Sequence, residues 1–269
     1  MFNRFSKSLI YKAKIQNLSY VSYAVVSICV MVYTLQLLLE SKYGSSTNAM
    51  IFMGGYYRNY VIILKDYYRF ITYGFVHGGV FHLAMNLYAL INLGTFLEQV
   101  IGHFKYFLTL LFSIIGGGLL AHLSGSELVV GLSGGLYGLL GLLIVIAYKS
   151  NWLHNPQIRN SFIRLLLINL LVSFMPSVSL AGHFGGLLIG ILLGLVFTTP
   201  KNEVKSIFYY NKVVATILCL LILSFMAIKD VNIISYYSND ITVLQMFNDY
   251  GFDINDEILE IQKSYLGGK

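Results

Sequence analysis

The chain has 269 residues, 57% hydrophobic and 11% charged, with a mean hydropathy of +0.70. A soluble domain carries about a quarter charged residues, so this balance excludes one and places the chain in a bilayer. The formal charge of +6 does not indicate a nucleic-acid partner, because the basic residues sit in short connections between apolar runs, where they act as orientation signals.

In chain order, residues 1–19 hold Arg4, Lys7, Lys12 and Lys14 and no acidic residue, which predicts a cytoplasmic N-terminal segment. The first apolar run, Tyr20 to Leu39, is too long for a removed signal peptide and lacks a small-residue cleavage site, so it reads as a retained span. Residues 40–77 follow, about 38 in number and rich in Tyr, Phe, Met and Ile. That content predicts an external loop whose short helices lie in the headgroup zone. Six further runs approach the ~20 residues a spanning helix needs: Gly78 to Gln99, Phe104 to Leu123, Gly131 to Tyr148, Phe162 to Met175, Ser179 to Phe197 and Val213 to Ile228. None shows the two-residue alternation of an outer-membrane barrel strand.

The connections support this topology. Lys105, then Lys149, Arg159 and Arg164, then Lys201, Lys205 and Lys212 fall on the cytoplasmic side, while 124–130 and 176–178 hold no Lys or Arg. The expected division is a membrane core over 20–199, a cytoplasmic linker and seventh span over 200–228, and an acidic external tail over 229–269. The tail holds seven of the twelve acidic residues, and Asp240 and Asp253 are placed to cap two short helices at roughly 241–249 and 255–264. Cys29 and Cys219 lie inside apolar runs and read as packing residues. No histidine and carboxylate cluster has ligand spacing, and no glycine stretch has a phosphate-binding context, so neither metal nor organic cofactor is expected.

Polar side chains within spans are costly and mark function by default. His82 and Asn86, four residues apart, share one face of the second span. Ser133 follows Gly131-Leu132 and precedes Gly134-Gly135 at the start of the fourth, and His183 lies near the start of the sixth. Even-numbered spans run in one direction, so at ~1.5 Å per residue these groups share one depth within a few Å, near the external surface. Gly182, Gly186, Gly190 and Gly194 in the sixth span, with Gly131, Gly134, Gly135 and Gly138 around the fourth, permit close helix approach. Such packing would bring the His183 imidazole to the Ser133 hydroxyl, a nucleophile with its general base. The Ser133 backbone N–H, the His82 ring and the Asn86 amide suit an oxyanion hole. The one carboxylate within a span, Glu98, lies at the opposite end of the second, which points to a two-residue dyad.

These residues resemble the rhomboid family of intramembrane serine proteases over roughly Tyr20 to Phe197. Gly131-Leu132-Ser133-Gly134 fits the family's G-x-S-G, the stretch from His82 to Asn86 its H-x-x-x-N, and His183-Phe184-Gly185-Gly186 followed by Gly190 its H-x-x-G-x-x-x-G. The resemblance implies an all-α integral membrane fold, a six-helix bundle plus a seventh C-terminal helix. It makes Ser133 the nucleophile and His183 the base, with His82, Asn86 and the Ser133 N–H as the oxyanion hole. Tyr137 matches an aromatic position that packs on the catalytic histidine, and Tyr68-Arg69 resembles the family's Trp-Arg pair with Tyr in place of Trp. The segment Gly94 to Gly102 departs from the family in lacking its arginines. The implied activity is hydrolysis of peptide bonds in or beside transmembrane segments of membrane proteins, by an enzyme of the cell membrane with its site near the external face. Two other readings stay open. A catalytically silent relative that binds membrane clients is disfavoured by the presence of both Ser133 and His183, and a channel by polar groups confined to one level.

Overall fold

The computed structural model describes residues 18–173, 178–198, 212–217 with 219, 221, 222 and 224, and 237–266. The basic segment 1–17 and most of 200–228, including Lys201 and Lys205, lie outside the described residues. Four helices are long and apolar enough to cross a membrane: α1 (Tyr20–Tyr43), α5 (Val80–Ile101), α6 (His103–Leu123) and α9 (Leu180–Phe197). With α7 (Ser133–Lys149), a shorter apolar helix, and α8 (Pro156–Ser173), they form a multi-pass membrane bundle. Residues 212–217 are helical where the seventh span is expected.

The start of α1 is capped by a group 77 residues away. Glu98, wholly buried, accepts from the Val21 and Ser22 backbone N–H groups at 2.9 Å each and from the Ser22 hydroxyl at 2.6 Å. These are donors that a helix start leaves unpaired, and a carboxylate also suits the positive end of its dipole. His103 Nδ1 closes the cluster 2.6 Å from Glu98. Glu98 is thus a structural cap. At the other end, Gly44 takes a left-handed φ of 72° and stops α1. α8 starts at Pro156, earlier than the expected Phe162, because Asn155 Oδ1 accepts from Gln157 N at 2.9 Å and proline suits the first helical position.

Three helices pack through glycines. A methyl group at Gly186 would overlap the Gly134 carbonyl, and one at Gly190 the Gly138 carbonyl. Both residue numbers rise together, so α7 and α9 run parallel with backbones in contact. On the α6 side, Gly116 lies against Ile189 and the Gly185 backbone, and Gly117 against the Gly182 carbonyl.

Between α1 and α5 the chain forms α2 (Ser46–Phe52), β1 (Tyr56–Tyr57), α3 (Arg58–Ile63) and α4 (Arg69–Thr72). β1 pairs antiparallel with β2 (Leu128–Val129), Tyr56 opposite Val129, and so ties this connection to the loop before Ser133. Arg69 is fully buried; it bonds Asp66 at 2.8 Å and the Ile51 and Gly55 carbonyls at 2.7 and 2.9 Å. Tyr68 stays half exposed. Of the other histidines, His122 is buried against Tyr56, its Nδ1 2.6 Å from the hydroxyl.

Part of the aromatic loop is covered by protein, while Tyr67, Tyr68 and Ile71 stay exposed. Tyr56, Tyr57, Tyr60 and Val61 are buried in protein, and part of their cover comes from the far end of the chain. Helices α10 (Tyr237–Asp249) and α11 (Asn255–Leu266) build a small core with Ile51, Tyr57 and Tyr60 through Val243, Leu244, Ile254 and Ile261. Phe52 stacks on Phe247 at 4.3 Å. Asp240 is not a cap. It lies inside α10, buried, accepting from Asn59 Nδ2 at 3.1 Å and from the Tyr265 hydroxyl at 2.8 Å, while its carbonyl accepts from the Tyr60 hydroxyl at 2.7 Å. Asp253, just ahead of α11, does accept from Asn255 N, at 3.3 Å.

Candidate active site

Ser133 opens α7, His82 is the third residue of α5 and His183 the fourth of α9. All three lie in a first turn. α9 starts with Ser179 as its cap, the hydroxyl accepting from Gly182 N at 3.1 Å, and the Gly134–Gly186 contact draws that turn against the start of α7. Tyr137, one turn beyond Ser133 on the same face, stacks on His183 with ring centroids 4.0 Å apart and planes 14° from parallel. Ser133 and His183 thus stand near the starts of two helices in backbone contact, with Tyr137, one turn beyond Ser133, stacked on His183. No hydrogen bond links the two side chains among the described residues.

The loop before Ser133 is shaped by Gly131. Its φ of +113° favours glycine, and a methyl there would run into the His82 ring at 2.5 Å from Cε1 and 2.7 Å from Nε2, with the Asn86 amide nitrogen 3.6 Å away. Gly131 N donates to the Tyr73 carbonyl at 3.0 Å, and the Tyr73 hydroxyl in turn donates to the Ile114 carbonyl at 2.7 Å. His82 and Asn86 thus face the chain that leads into Ser133. Gly78 N donates to His82 Nδ1 at 3.4 Å, which leaves the proton of a neutral ring on Nε2, the nitrogen against Gly131. Asn86 is buried and donates to the His82 carbonyl at 3.0 Å.

Two residues outside the three motifs belong to this neighbourhood. His77, between α4 and α5, is wholly buried with its ring 5.3 Å from His82. Burial, with His82 beside it, holds its pKa down to about 4 from 6.5 against a hydrogen bond to the Phe75 carbonyl, so it is neutral at physiological pH. Ser173, the last residue of α8, is buried and sits 2.8 Å from His183 Nδ1. No motif marks it. The backbone carbonyl of Asn169 accepts from both the Tyr137 and the Ser173 hydroxyl. Among the described residues no group of histidine, cysteine and carboxylates is placed to hold a metal ion.

Residues 64–200 match the profile of the Rhomboid domain, half of the chain and every residue of the site just described. The chain belongs to the rhomboid family. RHOMBOID-like protein 1 of Arabidopsis thaliana is 36% identical to it over 161 residues, 57% of this chain and 40% of that protein. Rhomboid protease GluP of Bacillus subtilis is 30% identical over 165 residues, 61% of this chain and 32% of that one. Rhomboid-type serine protease 2 of Emericella nidulans is 30% identical over 148 residues, covering 52% and 29%. In each case this rhomboid spans less than half of its relative's length. The acidic tail and the helical stretch at 212–217 lie beyond the profile match.

Proposed function

We propose that this rhomboid is an intramembrane serine endopeptidase, with Ser133 as nucleophile and His183 as general base, acting on peptide bonds in or beside transmembrane segments of other membrane proteins. The observation that carries the reading is the parallel contact of α7 and α9, with Tyr137 stacked on His183 one turn from Ser133. Names containing "protease" and "serine protease" among its relatives support it. In the reaction His183 takes the Ser133 proton as the oxygen attacks a carbonyl, then returns it to the leaving amine. Water hydrolyses the acyl-enzyme by the same exchange. The oxyanion that forms is met by the Ser133 N–H, His82 Nε2–H and the Asn86 amide. One such donor is worth roughly 3–4 kcal/mol.

A substrate helix protects its carbonyls by its own hydrogen bonds, so segments rich in Gly or other weak helix formers are the preferred targets. The arrangement we infer is six spans plus one, in the cell membrane, with a cytoplasmic N-terminus and the site near the external face. The boundaries are 1–19, 20–199, 200–228 and 229–269. The loop 40–77 and the tail 229–269 then lie on one external side, in accord with their packing. A fluorophosphonate probe is expected to label the purified protein, and Ser133→Ala and His183→Ala are each expected to abolish labelling and cleavage without unfolding the chain. Undiminished labelling of Ser133→Ala protein would refute the assignment.

A further inference from the structure

We infer that Ser173 is a positioning residue that fixes the tautomer and orientation of His183, standing where a hydrolase triad would have its carboxylate; this rests on the reading of His183 as the base. Ser173 Oγ is 3% exposed as a residue and makes three contacts: His183 Nδ1 at 2.8 Å, the Asn169 carbonyl at 3.0 Å, and the Tyr137 hydroxyl. A serine hydroxyl offers one proton and two lone pairs. The Asn169 carbonyl has no proton to give, so its contact is a hydrogen bond only with the Ser173 proton in it. The Tyr137 hydroxyl donates to the same carbonyl and also contacts Ser173 Oγ. One Ser173 lone pair is left facing Nδ1, and the bond there needs the proton on the imidazole.

Nδ1 is therefore the protonated nitrogen and Nε2 the bare one. A base with Nε2 bare can accept from Ser133, whereas the opposite tautomer has no lone pair to offer on that side. When His183 takes the Ser133 proton onto Nε2, the Nδ1–H to Ser173 bond becomes charge-assisted and strengthens. That stabilises the state in which the proton has moved. Tyr137 contributes twice, as the stacked ring and as a hydroxyl that keeps Ser173 turned toward Nδ1.

The test uses the full chain in detergent micelles. Ser173→Ala is expected to lower kcat and the labelling rate by roughly 10- to 100-fold, the range for losing a hydrogen bond to a charged group, with KM unchanged. Ser173→Thr, which keeps the hydroxyl, is expected to stay within about threefold of the parent, by the same reasoning on a retained bond. Nitrogen-15 spectra of histidine-labelled protein, with His183→Gln to identify the signal, are expected to show Nδ1 protonated and Nε2 bare in the parent, and a shift toward Nε2–H in Ser173→Ala. A bare Nδ1 in the parent protein overturns the inference whatever the variants do. So does full kcat in Ser173→Ala. If Ser133→Ala also keeps its labelling, the dyad itself has failed; if it loses labelling while Ser173→Ala does not, only the role of Ser173 has.

Discussion

The α7–α9 seam and the appendage of α10 and α11 hold by opposite means. In the seam the close approaches are backbone against backbone, Gly134 on Gly186 and Gly138 on Gly190. Lipid supplies no hydrophobic drive between helices, so such contacts depend on dispersion at short range. The appendage closes on the loop 40–77 through large side chains, Phe247 on Phe52 and Val243 and Leu244 beside Tyr57 and Tyr60. Around them runs a polar set of buried Asp240, Asn59 and Tyr60 with half-buried Tyr265. This is how a small soluble core is built, where removal of apolar surface from water drives packing. A seam of this kind tolerates no added volume. A core of this kind tolerates loss badly but insertion better.

The largest effect is therefore expected from adding atoms to the seam. Gly186→Val meets the Gly134 backbone, which has no side chain to swing aside. Overpacking that flexible cores absorb at about 1–3 kcal/mol exceeds that range here, so no folded protein is expected in thermal-unfolding measurements on micelle-purified chain. A Gly186→Val protein as stable as the parent would mean that the helices are not in backbone contact.

Next comes acid. His77 has a folded pKa of about 4 against 6.5 unfolded, a lowered value for a base. Its contribution to stability is full above pH 6.5, falls as pH drops between 6.5 and about 4, and is gone below that. Each tenfold drop in proton affinity on folding corresponds to roughly 1.4 kcal/mol, so the loss amounts to about 3 kcal/mol. The unfolding midpoint of the parent should fall across that window, and His77→Gln should flatten the response.

The part of the molecule legible in the residues is the seam. Glycines at four-residue spacing, with Ser133, His82 and His183 each near a helix start, are local patterns in a medium that restricts the backbone to helices. They yield the six helices of the described core, to within a few residues for all but the start of α8. What the patterns do not carry is contact across long separations. Asn59 and Asp240 are 181 residues apart, Val21 and Glu98 77, and neither pair leaves a periodic trace. Ser173 escapes notice for a related reason: a serine at a helix end reads as ordinary, and only the turn of α8 beside α9 sets it on Nδ1. The tyrosines of 40–77 look the same whether lipid or protein covers them, and the covering helices lie far along the chain.

Truncation at the appendage is expected to cost less than acid does at His77. Phe247 is half-buried and stacked on Phe52, so Phe247→Ala should loosen α10 by about 2 kcal/mol, below the roughly 3–5 kcal/mol of a fully buried ring. Limited proteolysis should then cut within 237–266 while the seam helices stay intact. Simultaneous loss of both regions would show that they are one cooperative unit.

The smallest effect is a pH response of the appendage opposite in sign to that of His77. Burial raises the Asp240 pKa from its ordinary 3.8, and the neighbouring Tyr57, Tyr265 and Asn59 offset only part of that. A raised carboxyl pKa means that the protonated form is the one burial favours. Its contribution to docking is present below the ordinary value and is lost as pH rises through the raised one. Amide exchange over 237–266 should accordingly speed up slightly from acidic to neutral pH beyond the intrinsic pH dependence of exchange, and Asp240→Asn, neutral at every pH, should remove the excess. If the excess persisted in Asp240→Asn, or protection rose with pH, the charge governing the appendage would be another group, and its buried carboxylate would be held chiefly by the hydrogen bonds it accepts.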